Sequence, residues 1–280
     1  MEGTDYDASY YGKIAESSTV VRSASYQITR IHTLGAGRGK TAVLKVFADM
    51  KRAGTLVQSV SDGSRVTVFL VDRDAEKVLG GSKRNDHVIY TKGYDVESDI
   101  LANGNDADAL LAAASLAPNE ARSVALSLQA WRNDAAIEWR EWIQLCCVAK
   151  QLGVSCDVTY GRNIVNGIDP TSLAKSRATL KARSGKTASE FEAIERRIAR
   201  KIDSIYRRGD GADLIKGKWL PQYMKDRLHA HFSGGHAPQL KDVEKRIVSA
   251  YVSSVDPTQN WSERYTTTFE ALLTRAQQTN

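Results

Sequence analysis

The stretch Arg65–Val71 (RVTVFLV) constrains the fold more than any other part of the chain. It is short, almost continuously apolar and rich in β-branched side chains. A half-wet antiparallel strand would alternate, so a run of this kind predicts a strand buried on both faces, as in a parallel sheet covered by helices. The surrounding sequence agrees. Tyr26–Leu34 (YQITRIHTL) alternates and reads as a strand. Gly35–Gly39 is a glycine-rich turn, and Thr41–Ala53 then has helical periodicity ended by Gly54. His87–Thr91 (HVIYT) is a further short strand. Strand, helix and two more strands within about ninety residues predict an α/β sheet packed with helices. Upstream, Asp5 to Ala15 spaces Tyr6, Tyr10 or Tyr11, and Ile14 along one helix face.

The character changes after about residue 103, which divides the chain into an α/β part, 1–103, and a mainly helical basic part, 104–280. Asn103–Asp108 is polar. Pro118 stands where a first-turn proline belongs, and a long helix is expected from there to about Leu152. Val124, Leu128, Trp131, Ala135, Trp139 and Trp142 recur at helical spacing along it and read as core. Asp157–Asn166 reads as a short strand or a loop, and Thr171–Ala174 opens another helix. Ala188–Arg207 is amphipathic, with Phe191, Ile194, Ile198, Ile202 and Ile205 on one stripe and Gly209–Gly211 breaking it. Trp219–His231 and Gln239–Val252 are further helices.

Composition narrows the function classes. With 280 residues, 42% hydrophobic and 26% charged, and only 5 Pro, the chain is neither mainly disordered nor collagen-like. No apolar run approaches the ~20 residues that span a bilayer. The opening MEGTDYD is acidic and unlike a secretory signal. Cys146, Cys147 and Cys156 form no disulfide framework and are expected to be reduced core thiols of a cytoplasmic protein.

Charge is unevenly placed. Residues 1–110 carry 14 basic and 15 acidic side chains, whereas Lys175–Arg227 carries 15 basic and 7 acidic, an excess larger than the net +6 of the whole chain. A basic belt joined to a neutral, carboxylate-bearing half suits an enzyme acting on a polyanion; a solvated helix face would look the same in isolation.

The carboxylates separate those readings. Asp72 and Asp74 (VDRD) directly follow the strand ending at Val71. Alternate residues of an extended chain face one side about 6–7 Å apart, so both would point into the crevice where open α/β sheets bind ligands. Two like charges so placed favour a cation between them, and hard oxygen donors suit Mg²⁺ or Mn²⁺. Asp95 and Glu97 (TKGYDVES) follow the next strand with the same spacing, and Glu2 and Asp5 (EGTD) precede the first helix. Each cluster alone could be a loop start, a helix cap or an acidic turn. Three of them, each beside a strand end or helix start, point to one metal site.

In order and spacing, EGTD, VDRD and TKGYDVES resemble the Toprim metal site shared by primases, topoisomerases and overcoming-lysogenization-defect nucleases. The form is similar to the Toprim-like effector nucleases of bacterial anti-phage defence, of which the AriB subunits of PARIS systems are an example. LIKGKWL (Leu214–Leu220) resembles an element of the same family. The resemblance covers about residues 2–100 well and the rest loosely. It implies a Toprim-like, mostly parallel sheet with flanking helices, followed by the helical region. It further implies Glu2 as general acid/base or ligand, and Asp72 and Asp74 as ligands of a divalent metal. Asp5, Asp95 and Glu97 would then be supporting or second-metal ligands, and Lys216 or Lys218 would neutralise charge on the phosphate. Lys181, Arg183, Arg197, Arg200, Lys201, Arg207, Arg208, Lys216 and Lys218 would grip nucleic acid. The implied activity is Mg²⁺-dependent cleavage of host RNA, tRNA among the candidates, by a homodimer held inactive by an ABC-type ATPase subunit. A Toprim glutamate follows an apolar strand, whereas here only Met1 precedes Glu2; the resemblance implies upstream codons for that strand.

Two other patterns carry less. GAGRGKT (Gly35–Thr41) has the Gly-Lys-Thr of a phosphate-binding loop, but the position six before Lys40 is Leu34 where glycine is required. A tight turn is expected instead. His229, His231 and His236 have a superficially zinc-like spacing with no cysteine nearby to complete a set. The competing functional reading is a non-catalytic nucleic-acid-binding or regulatory subunit with a decayed site. A nucleotide-binding switch is a third.

Overall fold

The computed structural model describes residues 1, 5–61, 63–162, 169–233 and 240–278, and the side chain of Asp5 lies outside that description. The chain is a helix-rich α/β protein. In order it forms α1 (Asp5–Ser17), α2 (Thr19–Ser23), α3 (Gly39–Ala53), β1 (Val57–Val60), β2 (Gly63–Val66), β3 (Phe69–Val71), α4 (Glu76–Leu79) and β4 (Val88–Tyr90). There follow α5 (Val96–Asn103), α6 (Asp106–Ala114), α7 (Pro118–Ser127), α8 (Trp131–Leu152) and α9 (Pro170–Arg183). The remainder is α10 (Ala188–Arg207), α11 (Leu220–Phe232), α12 (Val243–Ser254) and α13 (Glu263–Gln278). No helix among the described residues is long and apolar enough to cross a membrane.

The expected mostly parallel sheet is replaced, among the described residues, by two small ones. β1 and β2 form an antiparallel hairpin with Val57 opposite Val66. β3 and β4 are parallel, with Phe69, Leu70 and Val71 opposite Val88, Ile89 and Tyr90. The apolar run 65–71 is thus not one strand. Thr67 donates its N–H to Leu56, extending the hairpin, while the Phe69 N–H goes to His87 across the other sheet. The chain changes partner between those residues, and only its second half is buried deeply. That half behaves as read. Phe69, Val71, Val88 and Tyr90 pack with Ile31, Val43 and Phe47 on one side, while Ile89 joins the main core on the other.

Two further expectations are corrected. Tyr26–Leu34 is irregular and ends in a 3-10 turn at Ile31–Leu34. Its bonds run to Met1, whose N–H₃⁺ donates to Thr29 and whose carbonyl accepts from Ile31, as one residue of a parallel ladder would. The helix expected from Pro118 to Leu152 breaks after Ser127: the Trp131 N–H turns back to Leu128, and α8 restarts there. The break lets Val124 on one helix and Trp131, Trp139 and Trp142 on the other bury against one core. The polar stretch 103–108 is a tight corner, where Asn105 caps α6 by accepting from Ala107 and Asp108.

α10 has the expected bounds, with Thr187 and Glu190 forming a reciprocal cap at its start. The main core contains residues from both sides of position 103, from Tyr10 and Ile100 to Trp139, Trp219 and Tyr251. Of the stretch 157–166, residues 157–162 are turn and loop, and the rest lies outside the described residues.

Candidate metal and phosphate-transfer site

Parallel pairing of β3 with β4 places their C-terminal ends side by side, so the loops bearing Asp72–Asp74 and Tyr94–Asp95 meet. The Asp74 N–H donates to the Tyr94 carbonyl at 2.6 Å. The Val96 N–H donates to Asp72 Oδ1 at 3.1 Å. Asp74 adopts a left-handed backbone, φ 53°, a conformation that aspartate tolerates better than most residues and that recurs at functional loops.

The start of α5 explains the placement of the second acid pair. A helix leaves its first N–H groups unpaired and presents partial positive charge there. Asp95 caps that end, accepting from Ser98 N–H at 2.9 Å while the Ser98 hydroxyl returns to the Asp95 backbone. The same oxygen, Oδ1, accepts the Gly217 N–H at 2.9 Å. Burial and the charge of Glu97 push the Asp95 carboxyl up to about 7, against the pull of the Ser98 and Gly217 N–H groups. Glu97, also buried, faces the Lys218 ammonium at 3.7 Å.

Gly217 belongs to the GKW element, and its fit requires the absence of a side chain. A Cβ there would lie 2.2 Å from the Ser98 nitrogen and 2.5 Å from Asp95 Oδ1. That close approach carries Lys218 to the acidic edge. Trp219 anchors the turn in the core, stacked on Tyr160 and edge-on to Trp139.

Several residues at this edge were not singled out by sequence reasoning. Lys40, weighed only as a phosphate-loop lysine, reaches into the Asp72–Glu76 loop. Its ammonium donates to the Asp72 carbonyl at 2.7 Å and pairs with Asp74 at 3.3 Å and Glu76 at 2.7 Å. It therefore neutralises carboxylates, and the left-handed Gly35, Gly37 and Gly39 shape the turn that delivers it. Asp99, one helical turn beyond Asp95, is buried and accepts from Lys92 N–H, Gly93 N–H and the Tyr265 hydroxyl. Burial raises its carboxyl, and those donors hold it down. The Tyr11 hydroxyl, buried on α1, is raised by burial and then by the charges of Asp72 and Asp99, with Asp7 contributing, and α1 packs against α5. The i, i+4 spacings of Asp95 with Asp99 and of Asp7 with Tyr11 were visible signals.

The structure thus brings Asp72, Asp74, Asp95, Glu97 and Lys218 to one edge. Among the described residues, no three acidic, histidine or cysteine side chains are arranged to hold a metal ion. Glu2 and the side chain of Asp5 lie outside the described residues, as does His236. His229 and His231 are exposed at the end of α11.

Apart from Lys218, which faces Glu97, the residues read as a nucleic-acid grip divide into two groups. Lys201 donates to the Val78 carbonyl at 2.9 Å, and Lys216 to that of Tyr160 at 2.9 Å. Arg183 reaches Ser155 at 3.3 Å, and Lys181 pairs with Glu192 at 3.5 Å. These four fasten elements together. Arg197, Arg200, Arg207 and Arg208 are exposed, Arg208 pairing with Asp210 at 3.5 Å. At about 100° per residue, Arg196, Arg200 and Arg207 fall opposite the buried Phe191–Ile198–Ile202–Ile205 stripe of α10. The Lys201–Val78 bond holds that helix against α4, directly after the Asp72–Asp74 loop.

Comparison with models of known protein families, with curated proteins and with solved structures found no match for this chain.

Proposed function

We propose that the chain is a divalent-metal-dependent nuclease that cleaves phosphodiester bonds in RNA at the β3–β4 edge. The observation that carries this reading is the meeting of two acid-bearing loops at the ends of adjacent parallel strands, joined by the Val96–Asp72 bond and faced by Lys218. The donors are all hard carboxylate oxygens, as Mg²⁺ or Mn²⁺ requires. Asp95 is buried beside Glu97, a like-charge pairing that a cation relieves. Asp95 uses only Oδ1 for its two N–H donors. Asp72, Asp74, Asp95 and Glu97, no three of which are arranged to hold an ion by themselves, would do so only together with Glu2 and Asp5 from the start of the chain.

A bound divalent ion supplies electrostatic stabilisation of phosphoryl charge and acidifies water. The protein's part is to orient the chain. Lys218, exposed on one side and facing Glu97 on the other, would meet developing charge on the phosphate. The arginine face of α10 would track the backbone through charge, independently of sequence. The family resemblance extends the proposal to an anti-phage effector acting as a homodimer under an ABC-type ATPase subunit.

A second reading has its own support. Asp72 and Asp95 both serve as acceptors for the first turn of α5, so both are accounted for as structural caps. A non-catalytic RNA-binding subunit would need nothing more. Incubating the protein with tRNA, single-stranded RNA and plasmid, with Mg²⁺, Mn²⁺ or EDTA, separates the two. Cleavage that needs metal and disappears in Asp74→Ala and Glu2→Ala supports the nuclease. Binding that survives EDTA and both substitutions, without products, supports the second reading.

A further inference from the structure

Arg73 lies between Asp72 and Asp74 and faces a different space. A cavity of about 760 Å³ opens between the loop Gly80–Asp86 and α13, with Arg73 and Arg264 in its wall. Both guanidiniums are tied to the end of β4: Arg73 Nε donates to the Thr91 carbonyl at 2.8 Å, and Arg264 Nη2 donates to the Tyr90 carbonyl. Aromatic faces set their planes, Arg73 lying over Tyr90 at 6.0 Å and Arg264 over Tyr265 at 5.0 Å. Each guanidinium has five N–H donors, and these bonds use one from each. Neither forms an ion pair among the described residues. Burial and, next, the charge of Arg264 lower Arg73 from the usual guanidinium range, while the charge of Asp99 raises it.

The charge of the buried Asp99 acts on both guanidiniums, but its oxygens accept from Lys92, Gly93 and Tyr265 and from neither arginine, so each guanidinium keeps most of its N–H donors unspent. The rest of the wall is of the same sign. Lys83 and Arg84 stand exposed on the loop, and the single lining carboxylate, Asp86, is paired with Arg275 at 2.6 Å. The Tyr90 hydroxyl accepts the Lys83 N–H at 2.9 Å, fixing the loop over the cavity. The volume lies within the range of small-molecule sites. Planar forks with spare donors match the tetrahedral oxygens of a phosphate, which carries close to two negative charges as a monoester at neutral pH.

We propose that this cavity binds the terminal phosphate of a nucleotide-sized ligand, with Arg73 and Arg264 as its clamp. The site contains none of Asp72, Asp74, Asp95 or Glu97 and does not rest on the nuclease reading. The phosphate could belong to a free nucleotide or to the 5′ end of a strand, and the two sources are separable.

Calorimetric titration of the full chain with pyrophosphate, adenosine 5′-monophosphate and adenosine provides the test. Binding of the first two and not of adenosine is expected. Arg264→Gln should weaken the monophosphate by about tenfold or more, the loss of a charge-assisted fork. Because Arg264 also supports Tyr90, its folding is checked by circular dichroism. The exposed pair Lys83→Gln/Arg84→Gln provides a second variant that leaves the core untouched and should also weaken binding. A hexaribonucleotide with a 5′-phosphate is compared with its 5′-hydroxyl form. Preference for the phosphorylated strand over the free monophosphate identifies a strand end, and the reverse identifies a free nucleotide. Failure of both pyrophosphate and monophosphate to bind the folded protein overturns the proposal. So does binding that neither variant weakens.

Discussion

The Asp95 carboxylate accepts the backbone N–H of Gly217, 122 residues further along the chain, at 2.9 Å. One oxygen thereby caps α5 and fixes the turn that carries Lys218. Gly217→Ala should break this junction, because backbone atoms of Ser98 and Glu97 stand where the new Cβ would go and cannot yield. A loss of about 3 kcal/mol is expected from overpacking alone, read as a lower urea midpoint. A stability equal to wild type would show that the turn is not held as described.

Asp95→Asn and Asp95→Ala separate capping from metal binding. The amide keeps an acceptor for Ser98 and Gly217, so Asn should stay within about 1 kcal/mol of wild type, whereas Ala strands two buried N–H groups at about 1–3 kcal/mol each. Asn should nonetheless lose Mg²⁺-dependent cleavage. Retention of full cleavage in a stably folded Asp95→Asn would remove Asp95 from the proposed ligand set.

Lys40→Met removes the cation shared by Asp74 and Glu76 and the donor to the Asp72 carbonyl. Charge-assisted bonds of this kind predict a loss of about 2 kcal/mol. Added Mg²⁺ should raise the melting temperature of the variant more than that of wild type, since the loop then lacks its own cation. Identical responses to Mg²⁺ would argue against ion binding there.

The thiols should differ in reactivity. Cys146 and Cys147 are buried on α8, whereas Cys156 is half-buried. Burial drives Cys147 up to about 11, partly offset by the Tyr160 hydroxyl, and burial also raises Cys146. Only one of the three thiols should react rapidly with Ellman's reagent near pH 8 in the native protein, and all three in urea. The sign of the stability effect follows. The native state keeps these protons after the unfolded chain has lost them, so their contribution is intact below about pH 9 and falls as pH rises towards 11. Cys147→Ser should flatten that alkaline decline, measured by urea midpoints across the range.

The exposed face of α10 should govern RNA affinity without affecting the fold. Replacing Arg196, Arg200 and Arg207 together by Gln is expected to leave the melting temperature nearly unchanged, since none of the three is buried. The salt dependence of single-stranded RNA binding should fall by about 0.7 in log–log slope for each phosphate that is no longer neutralised. An unchanged slope would place the RNA elsewhere.

Local pattern was enough to locate α10 and to place Asp72 and Asp95 just beyond strand ends, because periodicity and the positions of polar residues report directly on which face is buried and where an element stops. It was not enough to pair strands. RVTVFLV reads as one segment, yet Thr67 and Phe69 bond to different sheets. The same holds for Tyr26–Leu34, whose alternation is real but whose backbone bonds to Met1 without forming a strand.

By itself the sequence determined the helix-rich α/β character, the acids that follow β3 and β4, and the basic α10. Tertiary structure alone decided that Lys40 neutralises the Asp72–Glu76 loop, that Gly217 seats Lys218 beside Glu97, and that Arg73 shares a cavity with Arg264. The reason is physical. Apolar periodicity encodes what a segment buries, while the partner of a hydrogen bond or a charge depends on which distant segments the folded chain brings within about 3 Å of each other.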